Sequence, residues 1–354
     1  MAARTSVTIA LDWTPNCNHT GFYLAKAQGL YRQAGLDVTI TSPHVDEYHT
    51  TPLSHVADKS ATFGICPSES VISYHTWPDA SKPKVVALAA VLQGSTSAVV
   101  TLKSSGITRP SQLDGKTYAS YGARYEGRIV QQLIRNDGGT GDFKEVTPPM
   151  LGIWNTLLKG EADATWVFLG WEGVEARMKG VELNCFGLEE FRVPYGYSPL
   201  LVAHPDTLRD QPEVVRAFLA ATSQAFAFAA ADPAEAARQL LQAVAQEHAG
   251  TPLPVPLDPD MVKQAQEFTS QHYLDAEGRW GVQQPQVWTG FISWLTQQGL
   301  LTSKVQSRSQ QSEHHTSLDG LRQGDVGAAI DPACLDLATL FTNDFLPQPG
   351  AVAV

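Results

Sequence analysis

The stretch LDWTPNCNHTGFY, residues 11–23, joins a predicted strand to a predicted helix and organises the rest of the chain. The apolar run before it, residues 7–11, alternates and is rich in β-forming residues, which indicates a strand. Residues 21–31 are apolar at helical spacing and are followed by Gly35. The order strand, polar turn, helix is typical of an open α/β sheet, in which ligands bind outside the carboxyl ends of the strands.

The turn itself carries side chains that suit a ligand site. Trp13 offers a stacking surface, and Asn16, Asn18 and His19 offer hydrogen-bonding groups. From the residues alone an alternative stays open, in which Trp13 is ordinary core and the two asparagines serve as turn and cap residues.

A second strand candidate, residues 36–41, completes a βαβ unit over residues 7–41. Such units imply a parallel sheet with right-handed crossovers, because a crossover helix returns the chain to the same edge. We therefore expect an α/β protein.

Composition excludes several classes of partner. The chain has 354 residues, of which 43% are hydrophobic, so it is long enough for two lobes with cores of their own. The net charge of -11 argues against nucleic acid and against an anionic membrane surface as partners. Because no uncharged apolar run reaches about 18 residues, we expect no membrane span. The N-terminus, Met1–Ser6, lacks a signal peptide, and we expect a cytoplasmic protein.

The sequence favours neither a metal site nor a nucleophile. The three histidines His44, His49 and His55 do not share one helix face and have no acidic or cysteine partner at ligand spacing. Cys66 lacks a nucleophile-elbow motif and an obvious histidine partner, so we expect a small, buried apolar cysteine there rather than a nucleophile; the sequence leaves the reactivity of Cys17 and Cys66 open. All four cysteines are widely spaced, which predicts reduced thiols and no metal pair: Cys17, Cys66, Cys185 and Cys334. No catalytic residue is assigned.

The loop at residues 121–127 sits between a predicted strand and a helix. It combines the aromatic rings of Tyr121 and Tyr125 with glycines that allow close backbone approach. The glycine spacing matches neither a phosphate-binding loop nor a dinucleotide fingerprint.

A second patch rich in functional groups follows at residues 166–175. Three aromatic residues, Trp166, Phe168 and Trp171, precede two carboxylates, Glu172 and Glu175. Rings supply stacking contacts and a carboxylate accepts a hydrogen bond from an exocyclic amine, so the combination suits a flat, nitrogen-rich heterocycle.

Several of these segments, taken in order, resemble the thiamine-pyrimidine family of periplasmic-binding-protein folds, which includes formylaminopyrimidine-binding proteins. The resemblance covers nearly the whole chain. It is carried by NHTGFYLAK (18–26), AGLDV (34–38), FGI (63–65), AAVLQ (89–93), LDGKTY (113–118), GWEGVE (170–175) and LFTNDFL (340–346).

The resemblance implies a two-lobed periplasmic-binding-protein-like fold of type II, with a ligand cleft between lobes. We predict that residues 1–97 and 198–354 form the first lobe and residues 98–197 the second. The resemblance and the turn chemistry together give the predicted ligand-binding set: Trp13, Asn18, His19, Tyr121, Trp166, Phe168, Trp171 and Glu175.

The resemblance also implies the function. We expect a non-catalytic protein that binds a small pyrimidine precursor of thiamine and needs no cofactor; it would dock on a transporter only if exported. The alternative is the related fungal pyrimidine synthase, which uses pyridoxal phosphate and iron. Its lysine and histidine are missing at residues 66–70 here, and its cysteine-rich run is missing near 193–198. A weaker alternative, by analogy of fold alone, is a binder of an alkanesulfonate or riboflavin.

Overall fold

The opening strand and helix form where the sequence predicts them. The structure is a computed structural model, and it describes residues 3–77, 82–250, 252–307 and 314–348. Strand β1 covers Thr5–Ala10 and buries Val7 and Ile9 on its inner side. Helix α1 covers Thr20–Ala27 and ends before Gly29, whose φ of 76° favours glycine because it lies in the left-handed region.

The remaining elements alternate between strands and helices up to residue 203 and are mainly helical afterwards. The other strands are β2 (Leu36–Thr41), β3 (Phe63–Cys66), β4 (Val86–Ala90), β5 (Ser97–Leu102), β6 (Thr117–Ala119), β7 (Lys144–Val146), β8 (Ala164–Phe168), β9 (Leu183–Gly187) and β10 (Leu200–Ala203). The other helices are α2 (Leu30–Gln33), α3 (Pro52–Ala57), α4 (Ser68–His75), α5 (Glu126–Asn136), α6 (Ile153–Leu158), α7 (Glu172–Met178), α8 (Pro205–Asp210), α9 (Pro212–Ala231), α10 (Pro233–Glu247), α11 (Pro259–Ser270), α12 (Pro285–Gln297), α13 (Leu318–Arg322) and α14 (Leu337–Leu340).

The strands form two five-stranded mixed sheets. The first sheet has the order β2-β1-β3-β10-β4 and the second has the order β7-β6-β8-β5-β9. In the first, β1 pairs in parallel with β2 and β3, as the βαβ pattern predicts, while β10 runs antiparallel to β3 and β4. In the second, β6 pairs in parallel with β7 and β8, and β5 runs antiparallel to β8 and β9.

The expectation of a parallel sheet therefore holds for only part of each sheet. The two antiparallel strands, β5 and β10, are the first strands that the chain forms after it passes from one sheet to the other. The first sheet takes its strands from residues 5–90 and 200–203, and the second from residues 97–187. The exact lobe boundaries stay a prediction.

Close packing of aromatic rings fixes the helices on the first sheet. Phe218 of α9 stacks on Phe63 of β3 with ring centroids 4.3 Å apart, and Phe226 meets Phe22 of α1 edge to face at 5.3 Å. A Cβ at Gly21 would lie 2.2 Å from the ring of Phe226. Glycine is therefore required there to let α1 and α9 approach.

Helix α9 is the one helix in the described residues with the length and apolarity of a membrane span. Its Phe218 and Phe226 are fully buried, whereas Glu213 on the same helix has an 89% exposed side chain. Apolar residues on the packed side and charges on the other are typical of a core helix in a globular protein.

Candidate functional site

A cavity of about 180 Å³ opens where strands of both sheets end. The segments that line it follow the carboxyl ends of β1 and β3 in the first sheet and of β6 and β8 in the second. This is the place where open α/β sheets bind ligands, because the backbone turns leave polar groups and helix N-termini facing outward. The lining residues are Asp12, Trp13, Asn16, Asn18, Pro67, Glu69, Tyr121, Ala123, Glu126, Met150, Trp166, Phe168, Trp171, Glu172, Tyr195 and Ser198.

The turn after β1 is held by a short hydrogen-bonded network. The side chain of Asn16 accepts from the backbone N–H of Asn18 at 2.8 Å and caps the single helical turn Cys17–His19. The backbone N–H of Asn16 donates to Nδ1 of His19, and Nε2 of that fully buried ring lies 2.8 Å from a carboxylate oxygen of Asp12. Since Nδ1 accepts a hydrogen bond, the ring proton lies on Nε2, which donates a hydrogen bond to Asp12. His19 therefore orients Asp12 toward the cavity.

Aromatic rings from both sheets form the walls. The ring of Trp13 lies 5.0 Å from that of Tyr48 and 5.9 Å from that of Tyr121, which follows β6. Tyr195 meets Trp166 edge to face at 5.2 Å. Rings held at these distances by their neighbours lose little freedom when a flat ligand stacks on them.

Three buried glutamates complete the lining, and each has a different environment. One carboxylate oxygen of Glu126 accepts from the hydroxyl of Tyr118 at 2.7 Å and from the backbone N–H of Tyr121 at 3.1 Å. Glu172 begins α7 and accepts from the backbone N–H of Phe168 at 3.0 Å. For Glu69, at the start of α4, one oxygen has no hydrogen-bond partner among the described residues.

Burial shifts the protonation of these carboxyls toward the neutral acid. It raises the pKa of Glu69 to about 8, and the nearby charge of Glu126 adds to the effect. Burial also raises the pKa of Glu172 to about 7, although its backbone hydrogen bonds act in the opposite direction. Burial raises the pKa of Glu126 as well, against the hydrogen bond from Tyr118. Near neutral pH the cavity can thus both donate and accept protons without a histidine in its lining.

Six of the eight residues predicted from the sequence line the cavity: Trp13, Asn18, Tyr121, Trp166, Phe168 and Trp171. His19 does not line it, because the ring is buried behind Asp12. Glu175 does not line it either; its carboxylate pairs with Lys179 one turn further along α7. Glu172, three residues earlier at the start of the helix, is 7% exposed and lines the cavity where Glu175 was predicted to do so.

Sequence reasoning missed most of the acidic lining. Three of these acids lie a few residues after the end of a predicted strand, namely Asp12, Glu69 and Glu126. That position is the signal that could have identified them. Tyr195 comes before β10 and had no such signal.

The thiols beside the cavity are unsuited to nucleophilic chemistry. Burial raises the pKa of both Cys17 and Cys66 above the ordinary range, and the charges of Asp12 and Glu69 add to the shift at Cys66. A thiol is reactive as its thiolate, so both cysteines stay protonated and inert. In the part of the chain that the structure describes, no group of three or more His, Cys, Asp or Glu side chains can hold a metal ion.

Proteins of known function share this sequence pattern and this fold. The formylaminopyrimidine-binding protein of Halalkalibacterium halodurans is 24% identical over 83% of this chain and 85% of its own. The 4-amino-5-hydroxymethyl-2-methylpyrimidine phosphate synthase of Legionella pneumophila is 24% identical over 78% of this chain and 84% of its own. The alkanesulfonate-binding protein SsuA from Xanthomonas axonopodis pv. citri, solved with MOPS, superposes with a TM-score of 0.61 at 13% identity, over 90% of this chain and all of that one. The likeness to SsuA shows the fold alone, which is that of the periplasmic binding proteins.

The family model described as "NMT1/THI5 like" matches residues 16–236, more than half of the chain. That range contains every lining residue of the cavity except Asp12 and Trp13. The chain belongs to the NMT1/THI5-like family.

Proposed function

We propose that this protein binds an unphosphorylated 4-aminopyrimidine of thiamine metabolism in the cavity and releases it unchanged. The observation that carries the proposal is a cavity whose walls are aromatic rings and whose charged lining residues, among those described, are all acidic. None of its described lining residues is Lys, Arg or His. The names of the relatives, a formylaminopyrimidine-binding protein and a pyrimidine phosphate synthase, point to the same ring system.

The chemistry of Glu172 fits the edge of an aminopyrimidine. Such a ring presents an amine N–H donor beside a ring nitrogen acceptor. A carboxyl whose pKa lies at about 7 supplies the complementary pair, with one oxygen accepting from the amine and the O–H donating to the ring nitrogen. The backbone N–H of Phe168 holds the Glu172 carboxyl in place.

Size also favours a single ring. The cavity volume of about 180 Å³ is below the roughly 300–1,000 Å³ that encloses drug-sized ligands. Riboflavin, with three fused rings and a ribityl chain, is too large for this space.

Charge argues against the anionic alternatives. A sulfonate or a phosphate needs cationic side chains or converging N–H donors, whereas this cavity is lined by four carboxyls, those of Asp12, Glu69, Glu126 and Glu172. An alkanesulfonate is therefore a poor ligand.

The cofactors of the synthase relatives do not fit the residues present. Pyridoxal phosphate is held as a Schiff base on a lysine amine, and the described lining contains no lysine. Iron needs a set of ligands that the described residues do not assemble. These mismatches favour a carrier or sensor over an enzyme. The cytoplasmic location, and docking on a transporter after export, stay predictions.

Isothermal titration calorimetry with 4-amino-5-hydroxymethyl-2-methylpyrimidine and its N-formylaminomethyl analogue tests the proposal. We expect binding by the wild type, with Glu172→Gln weakening it about tenfold or more, because a charged or shared-proton hydrogen bond contributes about 1.5–3 kcal/mol. Glu175→Gln tests the role predicted from the sequence. Because the Glu175 carboxylate pairs with Lys179 outside the cavity, we expect an affinity within about twofold of the wild type.

Absence of binding for both pyrimidines would overturn the proposal. Equal losses in the Glu172 and Glu175 variants would leave the ligand class intact but remove Glu172 as the group that reads the ring edge.

A further inference from the structure

Glu69 is a buried carboxyl whose hydrogen-bonding capacity the described residues do not fully satisfy. It is 6% exposed, lies in the first turn of α4 directly after β3, and lines the cavity. Its Oε2 atom has no hydrogen-bond partner among the described residues. Because an unsatisfied buried polar atom costs free energy, such an atom in a binding cavity indicates a group supplied by the ligand.

Two neighbouring acids have hydrogen-bond partners within the protein. One oxygen of Asp12 pairs with His19, and Glu126 accepts from the Tyr118 hydroxyl and from two backbone N–H groups. Among the described lining carboxyls, Glu69 is the one with a buried oxygen that has no hydrogen-bond partner.

The electrostatic surroundings of Glu69 are negative or neutral. The charge of Glu126 on α5 acts on Glu69, and the charge of Glu69 acts on three further acids, Cys66, Tyr125 and Tyr195. Arg124, a cation beside α4, bonds instead to Ser73 and Thr76 at the far end of that helix. No described positive charge thus compensates the Glu69 carboxylate.

We propose that the cavity selects a pyrimidine whose 5-substituent is a protonated aminomethyl group, held as an ammonium against the free oxygen of Glu69. The inference rests on the proposed function and deepens it. Glu172, from the second sheet, pairs with the ring edge while Glu69, from the first sheet, pairs with the substituent, so the two acids hold the ligand from both sheets. A phosphate ester is repelled by the acidic lining, and a neutral hydroxymethyl or formamide substituent cannot form an ion pair with Glu69.

Binding of a cationic ligand should release a proton from the protein, which distinguishes it from binding of a neutral ligand. Burial and Glu126 raise the pKa of Glu69 to about 8, so the free protein holds a proton there at pH 7. When the ammonium binds, Glu69–COOH and R–NH₃⁺ become the ion pair Glu69–COO⁻···⁺H₃N–R and one proton leaves to the buffer. A neutral ligand produces no such release from Glu69.

The test is calorimetry at pH 7 in two buffers of different ionisation enthalpy, with four 4-amino-2-methylpyrimidines. They carry aminomethyl, hydroxymethyl, N-formylaminomethyl or phosphorylated hydroxymethyl at position 5. We expect the aminomethyl compound to bind about tenfold more tightly than the two neutral ones, with up to one proton released, and the phosphorylated compound to bind most weakly.

Glu69→Gln should reduce the preference for the aminomethyl compound to less than about twofold and abolish the proton release. The matched control is Glu145→Gln. Glu145 is a half-buried carboxyl outside the cavity lining whose pKa burial also raises, and its partner Gln306 can keep its hydrogen bond to the new amide. This control should retain both the preference and the proton release.

The outcomes separate the inference from the proposed function. If none of the four compounds binds, the proposed function fails. If the neutral compounds bind as tightly as the aminomethyl compound, or if Glu69→Gln keeps the preference, the ammonium assignment is overturned while pyrimidine binding stands. If Glu69→Gln fails to fold, the affinities and proton release of the four compounds with the wild type alone still test the ammonium assignment.

Discussion

Replacement of Glu69 by glutamine should stabilise the protein in a strongly pH-dependent way. The carboxyl has a pKa of about 8 in the folded chain, against 4.5 when exposed. Because the folded state binds this proton more tightly than the unfolded state, the protonated Glu69 carboxyl stabilises the wild type fully below pH 4.5, and this contribution is lost as pH rises through 8. Glutamine has nearly the same shape and carries no charge at any pH.

The size of the effect follows from the shift. Each pH unit between the two pKa values removes about 1.4 kcal/mol from the free energy of unfolding of the wild type. Relative to the wild type, Glu69→Gln should therefore gain about 3 kcal/mol by pH 7 and about 5 kcal/mol by pH 8.5, and it should gain almost nothing at pH 4.5. Glu69 is fully inside the protein, so screening by solvent reduces these values little.

Urea unfolding at pH 5, 6, 7 and 8 measures the difference, followed by tryptophan fluorescence and circular dichroism in the same samples. If the two spectroscopic signals give the same unfolding transition, unfolding is two-state and the free energies of unfolding can be compared. Difference infrared spectroscopy should also show a protonated-carboxyl band in the wild type at pH 7 that is absent from the variant. Glu213→Gln is the control: its side chain is 89% exposed, so we expect a change below about 1 kcal/mol without that slope.

A stability difference between wild type and Glu69→Gln that stays constant from pH 5 to pH 8 would refute the reasoning. So would a variant that is less stable than the wild type at pH 8, because the carboxylate would then have a stabilising partner in the folded state.

Three further predictions concern the packing and the cavity. Gly21→Ala should lower the free energy of unfolding by about 1–3 kcal/mol, because its Cβ would lie 2.2 Å from the ring of Phe226. Thermal unfolding measures this loss, and the double variant that also carries Phe226→Leu should regain part of it. Trp13→Ala should weaken pyrimidine binding between about two- and tenfold in calorimetry through lost stacking, while Trp13→Phe keeps most of the affinity; an unchanged alanine variant would place the ligand elsewhere. Tyr118→Phe should cost about 1–3 kcal/mol in urea unfolding because it removes the 2.7 Å hydrogen bond to Glu126, and a loss within experimental error would show that the acid finds another donor.

Local patterns in the sequence were enough to find the first strand, the turn and the helix. Strand β1 alternates and α1 repeats its apolar residues at helical spacing, and both signals are set by neighbours a few residues apart. The directions of β5 and β10 were not accessible in this way, since antiparallel pairing joins β10 to strands about 110 or more residues earlier in the chain.

The residues of the candidate site were likewise only partly predictable from local sequence. Aromatic residues such as Trp13 and Tyr121 were predictable, because their side chains suit a flat ligand wherever they meet. The position of Glu69 and Glu126 after predicted strands was a signal for them, but their raised pKa values were not predictable, because these depend on burial and on neighbours distant in sequence. Glu172 and Glu175 lie one turn apart on the same side of α7. Their positions along the helix relative to the cavity decide that Glu172 lines it and that Glu175 pairs with Lys179 instead.

The sequence by itself determined the α/β class, the strand–turn–helix that opens the chain, the aromatic character of the cavity and the resemblance to a pyrimidine-binding family. These follow from periodicity and motif, which are properties of short segments. Only the tertiary structure decided that four acids from the ends of β1, β3, β6 and β8 enclose one space without a basic residue in its described lining. The physical reason is that burial and mutual repulsion, which set the charge of those acids, arise only when distant segments pack together.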